Sequence, residues 1–369
     1  MKRIKTALLK IFSQLFSFFI SRPEKPTKLE KIAIFSTTGL GDTLWAMPAI
    51  KALKASFPEC RITALLSPIG KEVLLNNPFI DEVIVHSLFP FHKLYMMLRR
   101  KKFDAIVIFH ASERKIFLLA KLLNPHYIIG TLGRSKDSDF ILTNAIKPHF
   151  NEHEIQRRVN LIYPLGAQST NDLKLQVFLT DDEREQANFF LKSMGVEPQD
   201  KLIGIHPGSK DIFKRWPKEY FINVAKKLQN RIGCKVIITG SMHESKLAKS
   251  IAKELPYSIS LFGQVSLRTM IAIIEKMSLY ITNDTGPMHI AFAMDIPTIS
   301  LFSPTHPSSC GPLQASNSIV EYVNRCCVPC LAKKCKDPFC MRQISQETVL
   351  KHALSILQTE EKLINFKKN

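Results

Sequence analysis

Short apolar runs alternate along the chain with longer stretches in which apolar residues recur every three or four positions. Ile32-Ala33-Ile34-Phe35 is the first such run, and a continuous apolar run of this length marks a parallel strand buried on both faces. A polar turn, Ser36 to Asp42, follows it. From Thr43 to Phe57, apolar residues at Leu44, Met47, Ile50 and Leu53 then predict one amphipathic helix. The unit repeats, with strands predicted over 61–66, 83–86, 105–109 and 126–130 and helices over 71–76, 92–100 and 114–123. Periodicity fades near 135–150, returns as a helix over 152–163, and gives way to a polar, aperiodic stretch over 166–174 that reads as a linker. A second series follows, with strands over 202–206, 235–239, 279–282 and 298–302 and helices over 181–194, 218–232, 245–255, 267–276 and 286–293. Strands alternating with helices mean a parallel sheet covered on both sides. The expected fold is therefore α/β, with two doubly wound Rossmann-like domains facing a central cleft at the carboxyl ends of their strands.

A chain of 369 residues has room for two cores. The pattern sets domains at 27–166 and 175–345, with a C-terminal helix over 346–369. The first 26 residues stand apart. Lys2, Arg3, Lys5 and Lys10 interleave with Ile4, Leu8, Ile11, Phe12, Leu15, Phe16, Phe18 and Phe19, and eight basic residues face two acidic ones up to Lys31. The run is too interrupted to span a bilayer and lacks small residues at a signal cleavage site. It reads as an amphipathic arm on an anionic membrane surface, or as a helix packed on the protein's own body.

The whole chain carries 51 Lys+Arg against 32 Asp+Glu, a net charge of +19, so its partners are expected to be anionic. No recognition helix, zinc-finger spacing or stacking platform accompanies that charge, which sets nucleic acid aside. Phosphorylated substrates and acidic lipid remain.

Candidate chemistry sits in the turns that leave the predicted strands. Thr37-Thr38-Gly39-Leu40-Gly41-Asp42 lacks the third glycine of the dinucleotide fingerprint. Its glycines instead admit a substrate close to the backbone, and Asp42 at the helix start is placed either to cap the helix or to take a proton from an acceptor hydroxyl. In the second half, Lys214-Arg215-Trp216-Pro217 leads from loop to helix with two cations for phosphate. Glu244 follows the strand over 235–239, where it either holds ribose hydroxyls or caps the next helix. Asn283-Asp284-Thr285-Gly286-Pro287-Met288-His289 joins strand to helix. The free N–H groups there, with the positive dipole end behind them, suit a diphosphate. A carboxylate in one half and phosphate-binding groups in the other fit attack by a hydroxyl on a sugar carbon that carries a nucleoside diphosphate. Fixed cations and N–H groups stabilise that leaving group, so no metal or other cofactor is expected in catalysis.

These residues resemble the lipopolysaccharide heptosyltransferases of glycosyltransferase family nine, which have the two-domain GT-B fold. The likeness runs from about Lys31 to Met341 and rests on Gly41-Asp42 with Pro48-Ala49, Lys214-Arg215-Trp216-Pro217, Asn283 through Ala291, Phe302-Ser303-Pro304-Thr305 and Gly311-Pro312. The resemblance implies Asp42 as general base, with Thr37, Thr38, Gly39 and Gly41 on the acceptor side. It implies Lys214 on the donor phosphates, Glu244 on the ribose, and Asp284, Thr285 and Gly286 on diphosphate and sugar. His289 supports that loop. It further implies an ADP-heptose donor, transfer with inversion, and an inner-core lipopolysaccharide acceptor met in the cytoplasm, by a protein peripheral on the inner membrane. One departure is Ser36, where many members carry Arg or Lys. A nucleotide-binding protein without transfer activity on the same scaffold is the alternative function.

Of eight cysteines, Cys326, Cys327, Cys330, Cys335 and Cys340 fall within fifteen residues. Such clustering suggests a reducing compartment. The spacing of Cys327, Cys330, Cys335 and Cys340 suits a structural zinc, or else four unligated thiols. The cluster also resembles one found in the C-terminal half of some family members.

Overall fold

The structure is a computed structural model that describes residues 23–368 apart from 169 and 336, with side chains of the last helix described to residue 359. The basic arm expected over 1–26 falls largely on residues 1–22, outside the described residues. The chain divides into two compact units, Met1–Lys174 and Leu175–Asn369.

Each unit is built on one six-stranded parallel sheet. In the first, β1 (Lys31–Ser36), β2 (Arg61–Leu66), β3 (Glu82–Val85), β4 (Ala105–His110), β5 (Tyr127–Thr131) and β6 (Asn144–Ile146) stand in the order β3-β2-β1-β4-β5-β6. In the second, β7 (Leu202–His206), β8 (Lys235–Ile238), β9 (Ser258–Ser260), β10 (Leu279–Asn283), β11 (Thr298–Phe302) and β12 (Ser318–Tyr322) stand in the order β12-β11-β10-β7-β8-β9. The two orders are the same doubly wound topology. In both units the direction of winding reverses between the first and fourth strands, at β1/β4 and at β7/β10. The carboxyl ends of those strands flank the crevice in which such sheets hold ligands.

The apolar runs become the central strands because helices cover both faces. Ala33, Phe35, Leu65, Ile106 and Ile108 pack with Leu94, Leu98 and Phe117 in the first core. Ile203, Ile205, Val236, Ile281 and Leu301 pack with Trp216, Met341 and Val349 in the second. Gly204 in β7 is required by that packing: a Cβ there would stand 2.3 Å from the Met277 sulfur and 2.4 Å from the Tyr280 ring.

Four of the segments that differ from the sequence expectation bear on the sheets and the site. The single helix expected over 43–57 is two, Leu40–Leu44 and Met47–Ser56, broken at Trp45-Ala46. Pro48 has no N–H to offer the carbonyl of Leu44, so one continuous helix loses a bond there. The other three are short strands absent from the expectation, β6, β9 and β12, and each lies at or next to a sheet edge. Among the described residues no helix is long and apolar enough to cross a membrane.

Candidate active site

At the first switch point, the turn after β1 and the end of β4 are laced together. Thr37 N–H donates to the His110 carbonyl at 3.0 Å, and the Ser112 N–H donates to Thr37 Oγ1 at 3.0 Å. A register shift between Phe35 and Ser36 pairs Ser36 with His110 and brings that histidine to the edge. Thr38 Oγ1 lies 3.1 Å from His110 Nδ1, and its carbonyl accepts from the Ser67 hydroxyl at 2.6 Å. These bonds tie the loop to β4 and to Ser67.

Gly39 is the N-cap of the helix Leu40–Leu44 and makes no side-chain cap bond. Asp42 sits in the first turn and its carboxylate turns away from the helix end: Oδ1 is 3.2 Å from His110 Nδ1 and 3.5 Å from Arg158 Nη2. The capping alternative for Asp42 therefore gives way to a side-chain cluster. Its side chain is 27% exposed, which leaves the carboxylate reachable. A Cβ at Gly39 would stand 3.6 Å from Asp42 Oδ2, so the glycine keeps that oxygen uncovered.

Two residues of this cluster were not legible as site residues. Arg158 is buried, its guanidinium lies 5.2 Å from the Trp45 ring centroid, and its Nη1 donates to the Glu154 carbonyl at 3.2 Å. The Glu154 carboxylate takes both Arg157 and Arg158. Burial pulls the Arg158 pKa down to about 10 against the pull of Asp42, so it stays charged at neutral pH. Burial likewise drops His110 to about 4, opposed by Asp42 and helped by Arg158, so His110 is neutral there. Asp42 thus has one fixed cation and one neutral imidazole beside it.

At the second switch point Asn283 is the keystone. Fully buried at the end of β10, it donates from Nδ2 to the carbonyls of Pro207 and Gly208 at 3.0 and 3.1 Å and accepts the Trp216 N–H on Oδ1 at 3.0 Å. One side chain so fixes the loop after β7 and the start of the helix Lys218–Ile232. The Lys214 ammonium lies 2.6 Å from Asp284 Oδ2, and that carboxylate is almost wholly buried. Asp284 is therefore the counter-ion that holds Lys214 in place, and it is Thr285 that stands at the N-cap of the helix Gly286–Ala293. Thr285 makes no side-chain cap bond there, and its buried Oγ1 finds no hydrogen-bond partner among the described residues. An orphaned buried hydroxyl at a helix N-terminus is what a ligand oxygen would satisfy. His289, one turn further on, is buried with its ring 5.9 Å from that of Phe292.

Glu244 does cap: its Oε2 accepts from the N–H and the hydroxyl of Ser241, both at 2.8 Å. Its Oε1 lies over Gly208, where a Cβ would stand only 2.0 Å away. Arg215 Nη2 lies 4.0 Å from the same oxygen while the guanidinium donates to the Ser209 carbonyl. Capping thus leaves one carboxylate oxygen for another partner. Buried His206 beneath it has a pKa pushed down to about 4 by burial, with Glu244 opposing.

The five clustered cysteines lie between β12 and the last helix, Gln346–Lys368. Among the described residues no three His, Cys, Asp or Glu side chains gather as a metal site. Cys330 Sγ accepts from the Ala332 N–H, Cys335 Sγ donates to the Asp337 carbonyl, and Cys340 is buried in the short helix Phe339–Arg342. Desolvation raises the Cys326 thiol pKa, together with Cys340 nearby and Cys327, against which it lies.

Residues 91–339 match the family model described as glycosyltransferase family 9 (heptosyltransferase). The chain belongs to that family. This family 9 glycosyltransferase is 24% identical over 336 residues to lipooligosaccharide heptosyltransferase 2 of Campylobacter jejuni, covering 89% of this chain and 98% of that one. Its fold matches a glycosyltransferase family 9 structure from Veillonella parvula with a TM-score of 0.78 at 24% identity, over 92% of this chain and 99% of the other. It also matches the Escherichia coli ADP-heptose LPS heptosyltransferase II structure with a TM-score of 0.76 at 21% identity, over 90% and 99%. These likenesses make the fold GT-B in type.

Proposed function

We propose that this glycosyltransferase transfers a heptose from ADP-heptose to the inner core of lipopolysaccharide, with inversion and without a catalytic metal. The observation that carries this reading is the division of equipment between the two switch points. One presents an accessible carboxylate, Asp42, anchored through a single oxygen. The other presents a pinned cation, Lys214, and a helix N-terminus with an unsatisfied hydroxyl, Thr285. The heptosyltransferase relatives act in lipooligosaccharide and lipopolysaccharide synthesis, which supplies the substrate class.

In this mechanism Asp42 Oδ2 accepts the proton of an acceptor hydroxyl while His110 and Arg158 hold the carboxylate in place. The freed oxygen attacks the anomeric carbon on the face opposite the nucleotide. The bond from that carbon to the diphosphate oxygen breaks, and its electron pair leaves with ADP. Lys214, the Thr285 hydroxyl and the free N–H groups of the helix Gly286–Ala293 stabilise the charge that builds there. Because the cation and the N–H groups are already fixed, a divalent ion is dispensable. Glu244 Oε1 accepts from the donor ribose, and Gly208 leaves room for that carboxylate. Thr37, Thr38, Gly39 and Gly41 form the acceptor side. The basic arm over 1–26 holds the enzyme peripherally on the inner membrane, where the acceptor is.

The test is transfer from ADP-heptose to a heptose-deficient core acceptor. Asp42→Asn should lower kcat by about 10²–10⁴-fold with ADP affinity and thermal stability unchanged, and EDTA should leave wild-type turnover intact. Near-normal kcat in Asp42→Asn, or loss of turnover in EDTA that Mg²⁺ restores, would refute the mechanism.

A further inference from the structure

The helix Phe91–Arg99 and the turn before it present a surface that the reaction does not use. Its inner face is ordinary, with Leu94 and Leu98 in the first core. Its outer face is not. Leu88 is 70% exposed, Phe89 39% and Met96 49%, and exposed basic residues, Lys93, Arg100 and Lys102, stand among them. Lys93, Met96 and Arg100 follow one another at helical spacing, so they share a face. Residues 86–102 contain five Lys or Arg and no acid. Among the described residues Lys101 pairs with Glu82 at 2.7 Å and Arg99 lies over the Tyr95 ring at 5.8 Å, while Lys93, Arg100 and Lys102 make no such contact. His92, Lys93, Met96, Met97, Arg100 and Lys101 line an open hollow of about 570 Å³ on this face.

The placement is as telling as the composition. β3 is an edge strand of the first sheet, and the 3-10 turn His86–Leu88 leaves its carboxyl end. All strands of that sheet are parallel, so Leu88 and Phe89 belong to the same edge as Thr38, Asp42 and His110. Leu132 after β5 is 40% exposed, and Phe150 after β6 is 95% exposed, at the same edge on the far side of β1. Exposed apolar side chains with a basic surround, and no acid in the segment, suit the boundary between lipid headgroups and acyl chains more than a protein partner.

We infer that residues 86–102 are a docking face for an anionic phospholipid bilayer, with Leu88, Phe89 and Met96 entering the interface and Lys93, Arg100 and Lys102 meeting lipid phosphates. This face is drawn from residues 86–102 alone. It sets the acceptor edge of the first sheet toward the membrane, and that orientation rests on the proposed lipid-borne acceptor.

The test uses the full-length protein and sedimentation with vesicles of phosphatidylethanolamine and phosphatidylglycerol, or of phosphatidylcholine alone. Each basic residue at an anionic surface contributes enough that Lys93→Glu/Arg100→Glu should lower the partition coefficient on anionic vesicles by about 30-fold or more. Leu88→Ser/Phe89→Ser should lower it at least ~10-fold through lost apolar insertion. All four substitutions are at the surface, so thermal unfolding should not move. Transfer to a delipidated, water-soluble core oligosaccharide should also be unchanged. Partitioning within about threefold of wild type for both variants, at the precision of tenfold steps in binding, would overturn the inference. So would a charge-reversal loss that is equal on phosphatidylcholine vesicles. If the wild-type protein transfers no sugar at all, the proposed function fails while the vesicle result still decides the docking face.

Discussion

Gly208→Ala separates the donor site from the fold. A Cβ at position 208 would stand 2.0 Å from Glu244 Oε1 and 2.3 Å from its Cδ. Ordinary non-bonded carbon separation is about 3.5 Å, so the carboxylate must swing aside by on the order of 1 Å. That movement gives up the two 2.8 Å bonds from Ser241 to Oε2. Glu244 lies at the end of a flexible side chain and can turn to water, so stability should change by only about 1 kcal/mol. Donor binding has no such escape. If Oε1 accepts both ribose hydroxyls in charge-assisted hydrogen bonds, their loss costs roughly 3 kcal/mol, or about 10²-fold in ADP affinity. Calorimetric titration with ADP should show that loss in Gly208→Ala and an equal one in Glu244→Ala. The double variant should be no worse than either, because the alanine at 208 acts through the carboxylate alone. Wild-type ADP affinity in Gly208→Ala, or losses that add in the double variant, would refute the assignment of Glu244.

Three further outcomes follow from the same geometry. Arg158→Met leaves Asp42 without its buried cation and Glu154 with Arg157 alone, which should cost about 3 kcal/mol and lower the melting temperature of the first unit by roughly 10 °C; an unchanged melting temperature would contradict the pairing. Asn283→Ala orphans the Trp216 N–H and frees the loop after β7, so it should cost on the order of 3 kcal/mol and weaken ADP binding, both read by thermal unfolding with and without ADP. Burial holds His206 near pKa 4 in the folded state against about 6.5 in the unfolded chain. Between those values the unfolded chain binds a proton that the native state does not, so this contribution is complete above pH 6.5 and is lost as pH falls toward 4. The lowered pKa of Glu244 acts in the same direction. Urea unfolding of the second unit should therefore show on the order of 2 kcal/mol less stability at pH 5 than at pH 7, and His206→Gln should flatten that slope.

Much of this was legible in the sequence, because strands buried on both faces need continuous apolar runs and covering helices need their own period. The strands Leu202–His206 and Thr298–Phe302 and the helices Lys218–Ile232 and Gly286–Ala293 match the expectation residue for residue. The strands missed are those in which burial makes no such demand. Asn144–Ile146 and Ser258–Ser260 are three-residue edge strands with polar residues in them, and Ser318–Tyr322 is only partly buried. In the site, the turns after β1 and β10 announce themselves because glycine, threonine and aspartate sit where apolar strands end. His110 and Arg158 do not. Each becomes a neighbour of Asp42 only when β4 lies beside β1 and the helix Glu154–Asn160 packs nearby, which no local spacing records. Glu244 and Asp284 show the converse. Both stand out in the sequence, but one oxygen of each goes to Ser241 and to Lys214 respectively, a division of labour visible only in three dimensions.

The most direct measurement is a transfer assay in which full-length protein, ADP-heptose and heptose-deficient core lipopolysaccharide are incubated and the products weighed by mass spectrometry. The acceptor should gain the mass of one heptose residue, one ADP should appear per transfer, and NMR of the new linkage should show the anomeric configuration inverted from the donor. Tight binding of ADP-heptose with no mass gain on the acceptor, or transfer with the configuration retained, would contradict it.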